Sequence, residues 1–136
     1  DGMTDAIEER LFVADSPKPM EEVCAALESS IPEHGFGLLH IHDVTAKMAA
    51  KGIEFGRPVK IFDVCNPHKA KQVLEKNILI SPALPCAISV FREGEGTRVC
   101  FIRPTVMLEM FGEPDLGPIA REVEETMRAI VETAVR

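Results

Sequence analysis

The residues best suited to chemistry are four in a row, Cys65-Asn66-Pro67-His68, with a second cysteine at Leu84-Pro85-Cys86. A strand-like run, Val59 to Val64, ends at the first group, and a helix-like run, Ala70 to Lys76, follows it. Asn is a preferred N-cap and Pro is favoured at the first helical position. The Cys65 thiol is therefore expected beside the positive end of a helix dipole, with Lys69 and His68 close by, where a thiolate is favoured. Asp63 opposes this, because residues 61, 63 and 65 share one strand face. The expected net effect is a modest depression of the Cys65 pKa. Such a thiolate can attack a sulfur or another electrophile, with Cys86 resolving a disulfide or sharing a sulfur ligand.

The elements that would hold these groups can be read from the pattern. Leu11 to Val13 reads as a first strand, and Ser16-Pro17 as a cap and first turn. Met20, Val23, Cys24, Leu27 and Ile31 then follow at helical spacing, until Pro32 and Gly35 break the helix. Phe36 to Val44 reads as a second strand, leading to a short helix capped by Asp43 or Thr45 and stopped by Gly52. The third strand, Val59 to Val64, runs into the helix Asn66 to Lys76, with Asn77 as C-cap. Cys86 to Arg92 and Thr97 to Arg103 read as a hairpin joined by Glu93-Gly94-Glu95-Gly96. Symmetric pairing about that loop sets Arg92 against Thr97, Ser89 against Cys100 and Cys86 against Arg103, bringing a guanidinium to the Cys86 thiol. A short helix over Val106 to Phe111 and a linker precede the last helix, Pro118 to Val135. Its stripe is Ile119, Val123, Met127, Ile130 and Ala134. Glu122, Glu124, Glu125 and Glu132 read as its solvated face.

Other residues carry less. Cys24 lies on an apolar helix stripe, and Cys100 alternates with Val99 and Phe101, so both read as packing. His40 and His42 point to one side of a strand and, with Cys65 or His68, contain metal-binding residue types. No second ligand pair has matching spacing, so no metal or other cofactor is expected. There is no G-x-S-x-G elbow, no G-x-G-x-x-G and no Walker loop.

The whole-chain numbers set the class. The 136 residues fit one domain, at 46% hydrophobic and 27% charged. A formal charge of −7 with no Trp and no Tyr argues against a nucleic-acid partner. No apolar run approaches the ~20 residues that span a bilayer, so no membrane role is expected. Four cysteines without a CxxC do not make a disulfide framework, and a cytoplasmic, reducing setting is the expectation. Interleaved helices with an antiparallel hairpin favour an α+β fold, with helices on one face of a mostly antiparallel sheet.

The order Gly35-Phe36-Gly37, then Cys65-Asn66-Pro67 before a helix with Ala70, then Leu84-Pro85-Cys86 opening a strand resembles the domain-of-unknown-function 302 family. Pro104 matches the proline that closes the family's last strand. The resemblance covers about residues 10 to 104 and leaves about 105 to 136 as a C-terminal helical extension. It implies a curved antiparallel sheet carrying helices, similar to the TATA-binding-protein-like fold, and a homodimer. By motif match, any shared role falls on Cys65, Asn66, Pro67, Pro85 and Cys86. Adding His68 and Arg103 from the residue-level reading gives a candidate ligand-binding set of Asn66, Pro67, His68 and Arg103 around Cys65 and Cys86. Three readings stand at this point: a small-ligand-binding or thiol-handling module, a thiol/disulfide or sulfur-transfer enzyme using Cys65 and Cys86, and a non-catalytic dimerisation or interaction domain.

Overall fold

The structure, a computed structural model, describes residues 2–136. Its elements are α1 (Gly2–Arg10), β1 (Leu11–Ser16), α2 (Met20–Glu33), β2 (Gly37–Asp43), α3 (Val44–Ala49), β3 (Val59–Cys65), α4 (Pro67–Lys76), a 3-10 helix (Ile78–Ala83), β4 (Cys86–Glu93), β5 (Gly96–Ile102), α5 (Pro104–Glu109) and α6 (Leu116–Val135). The five strands form one open sheet in the order β1-β5-β4-β3-β2, every pair antiparallel. This is the expected α+β architecture. The leading helix α1 was not anticipated.

Side chains alternate across the sheet, so each strand sends every second residue to one face. Phe62, Val64, Ile88, Val90, Val99 and Phe101 take the face covered by helices and are buried. They pack with Val23, Leu27 and Ile31 of α2 and with Met127, Ile130, Val131 and Ala134 of α6. Removing a side chain of this kind from water contributes about 1.5–3 kcal/mol. A buried hydrogen bond ties the two helices together: Ser30 Oγ donates to the Ile130 carbonyl at 2.8 Å. Lys18 Nζ donates to the Ala134 carbonyl at 3.0 Å and so caps the end of α6. A smaller core of Val73, Ile80, Leu108, Leu116 and Ala120 joins α4, the 3-10 helix, α5 and the first half of α6.

Some local expectations change. Ser16 does not cap α2. It is buried at the end of β1, its Oγ accepts the Lys18 amide at 3.2 Å, and the helix starts later at Met20. Pro32 does not break α2 but sits in its last turn. The β4–β5 register is as expected, with Arg92 opposite Thr97 and Ser89 opposite Cys100. Pairing continues to Glu93 opposite Gly96, so the four-residue loop shrinks to a turn at Gly94-Glu95. Gly94 takes φ +59°, which glycine adopts without a Cβ penalty.

The last helix departs most from its expected face. Its buried residues are Leu116, Ala120, Glu124, Met127, Ile130, Val131 and Ala134. Ile119 and Val123 are therefore only flanking, and Glu124 leaves the solvated set. The residue is 8% exposed. It accepts from Arg103 Nε at 3.2 Å, from the Thr105 amide at 3.1 Å and from Thr105 Oγ1 at 2.6 Å.

Candidate functional site

β3 ends, β4 begins and β5 ends at the same side of the sheet. A cavity of about 270 Å³ lies there, walled by that end of the sheet, by α4, by Ala83-Leu84-Pro85 and by α5. Phe36, Val64, Val73, Phe101, Met107, Leu108 and Val123 supply hydrocarbon. Cys65, Cys86 and Cys100 contribute thiols, and Asn66, Lys69 and Ser89 contribute the other polar side chains. Among the described residues lining it, Lys69 is the one charged group.

The local start of α4 forms as its residues dictate. Asn66 caps the helix and Pro67 takes its first position. Asn66 Oδ1 accepts the amides of His68 at 3.0 Å and Lys69 at 3.3 Å, and the Ala70 amide bonds the Asn66 carbonyl at 2.9 Å. This corrects the expectation for Cys65. The amides that were to stabilise a thiolate are already occupied by the capping side chain, and Pro67 has no N–H to give. Burial dominates instead and pushes the Cys65 thiol above its ordinary pKa. Burial pushes Cys86 further, to about 11, with the neighbouring Cys65 adding to the rise. Burial likewise raises Cys100, against a smaller opposing effect of Arg98. At neutral pH all three thiols are protonated, polarizable wall groups.

The expected partners divide. Cys65, Cys86 and Asn66 line one cavity, as does Pro85. Pro67 and His68 are exposed on the first turn of α4 and do not line it. Arg103 does not reach the Cys86 thiol. β5 ends at Ile102, so Arg103 leaves the ladder and begins α5, where its guanidinium binds Glu124 and donates to the Glu9 carbonyl at 2.9 Å. Cys100, read as packing, lines the cavity, and so does Lys69. The strand register opposite Ser89 was the signal for Cys100, but register alone does not reveal a void.

His40 and His42 do share a side of β2, with ring centroids 4.4 Å apart. Lys47 Nζ donates to His42 Nδ1 at 3.1 Å, and His42 Nε2 lies 2.7 Å from Asp63 Oδ2. Both nitrogens of His42 are engaged, leaving neither for a ligand. Among the described residues no three His, Cys, Asp or Glu side chains are grouped to hold a metal ion. Among the described residues no helix is long and apolar enough to cross a membrane.

Fold and cavity together define a small α+β domain: an open five-stranded antiparallel sheet with helices on one face and an apolar recess at the strand ends. The family model described as "Domain of unknown function DUF302" matches residues 12–134. The solved structure described as an uncharacterized conserved protein DUF302 from Bacillus stearothermophilus is similar at 34% identity and a TM-score of 0.88, over 93% of this chain and 98% of that one. No curated protein matches. The chain belongs to the DUF302 family. The match runs through α6, so the helix expected to lie outside the family pattern is inside it.

Proposed function

We propose that the protein binds a small, largely apolar molecule in the cavity at the end of the sheet. The observation that carries this reading is the cavity itself: about 270 Å³ of space walled mainly by hydrocarbon and neutral thiols. Binding sites for small molecules are commonly apolar recesses with a few placed polar groups. By size the recess takes about ten or eleven non-hydrogen atoms, scaling from an apolar cavity of ~150 Å³ that holds benzene. The raised thiol pKa values favour a binding role for Cys65 and Cys86 over a nucleophilic one.

Native mass spectrometry of the purified protein, with titration of 1-octanol followed by tryptophan-independent calorimetry, tests this. Saturable binding that is lost in Ala70→Phe, which fills the cavity, supports it. A ligand-free protein indifferent to apolar probes overturns it.

We also propose that the protein is a homodimer. On the sheet face opposite α2 and α6, Val13 and Ile102 are 38% and 48% exposed, and Ile102 also borders the cavity. Antiparallel sheets can face water on one side, but a second copy covering this face would bury these residues. Sedimentation equilibrium on wild type and Ile102→Glu is the check: a dimer weakened by the variant is expected, and a wild type monomeric at all concentrations would refute it.

A further inference from the structure

We infer that the ligand of this cavity carries an anionic head, a carboxylate or its equivalent on an apolar body, and that Lys69 binds that head in exchange for Glu122. The inference rests on the proposed binding role of the cavity. Among the described lining residues there is one cation and no acid. The lining is thus locally of opposite sign to a chain of formal charge −7 with 22 acidic and 15 basic residues. Three neutral thiols and a hydrocarbon wall leave Lys69 as the one group able to distinguish a charged ligand from a neutral one.

Lys69 is also placed to exchange partners. Its Nζ is ion-paired with the Glu122 carboxylate of α6. The lysine side chain is 26% exposed whereas that of Glu122 is 61% exposed, so the ammonium sits at the boundary of the cavity with its counter-ion on the solvent side. An exposed pair of this kind is worth little, because water screens it. A carboxylate arriving from the cavity side meets the same ammonium in a drier setting, where the attraction is larger. The stem of Lys69 can line the apolar wall while its head turns to the ligand. No bond is made or broken and no proton needs to move.

The experiment measures binding of octanoate, 1-octanol and octylamine to the full chain. Wild type is expected to bind octanoate about fivefold or more tighter than octanol, and octylamine more weakly than either. Lys69→Gln should remove the preference for octanoate, the octanoate-to-octanol affinity ratio falling to about one or below. Glu122→Gln should tighten octanoate about twofold to fivefold without changing octanol, while Glu125→Gln, an equal change of charge on the exposed side of α6, should do much less. If Lys69→Gln does not fold, the Glu122 and Glu125 variants carry the test. Octanol bound with no preference for octanoate, or a preference for octylamine, overturns the inference and leaves the cavity proposal intact. Failure of every probe to bind wild type overturns the cavity proposal itself.

Discussion

Thr105 donates two hydrogen bonds to one carboxylate oxygen of Glu124, from its amide at 3.1 Å and from its hydroxyl at 2.6 Å. Arg103 Nε donates to the other oxygen at 3.2 Å. The start of α5 is thereby pinned to the middle of α6, and with it one wall of the cavity. Burial pushes this carboxyl upward, but the Thr105 hydroxyl and amide and the Arg103 guanidinium outweigh it, so the net pKa falls below the ordinary value.

A depressed folded-state pKa means that the unfolded chain takes up the proton first. The stability contributed by Glu124 is complete above the unfolded value of ~4.3 and is lost as pH falls through the lower folded value. Glu124→Gln should cost about 1–3 kcal/mol at pH 7 by loss of charge-assisted bonds. The variant should also lose less stability than wild type between neutral pH and acid. Urea unfolding at a series of pH values measures both, and parallel pH profiles for the two proteins would contradict the assignment.

The cysteines should behave as sluggish thiols. With Cys65 above its ordinary pKa and Cys86 at about 11, alkylation of native protein at pH 8 is expected to be slower than for a free thiol. Cys86 should react more slowly than Cys65, and rates should climb as pH rises toward 10. Iodoacetamide kinetics on single-cysteine variants decide this. A Cys65 that reacts faster than free cysteine at neutral pH would restore the thiolate reading.

Asn66→Ala removes the acceptor for the His68 and Lys69 amides and should cost about 1 kcal/mol, whereas Asn66→Asp should retain most of the cap. The amides freed in Asn66→Ala belong to the third and fourth residues after Cys65 in the chain. A fall in the Cys65 pKa in that variant, followed by thiolate absorbance, is the expected second consequence, and an unchanged value would mean that the capping bonds are not what denies the sulfur those donors.

Two glycines of the β4–β5 hairpin should fail for different reasons. A Cβ on Gly96 would stand 2.5 Å from the Ser16 carbonyl oxygen, so Gly96→Ala must push β5 from β1, at about 1–3 kcal/mol. A Cβ on Gly94 meets nothing within 4 Å, and Gly94→Ala should cost about 1 kcal/mol through its positive φ alone. Asparagine, which tolerates that conformation, should recover part of the loss at position 94 and none at 96. Thermal unfolding of the four variants provides the comparison.

Local signals were legible in the sequence where one stretch of chain supplies all the partners. Asn66 and Pro67 contain the whole start of α4, because cap, first turn and acceptor lie within four residues. The hairpin register followed from alternation on both arms, which is why Ser89 and Cys100 were paired correctly. The antiparallel α+β class followed for the same reason. Glu124, Arg103 and the burial of Cys65 depended on distant segments. Glu124 reads as surface until Thr105 and Arg103 arrive from another element to satisfy it. Arg103 reads as a strand residue until the ladder stops at Ile102. The cavity exists only because α4, α5 and the ends of three strands meet without filling the space between them, and a void is a property of how surfaces fit, which no single segment encodes.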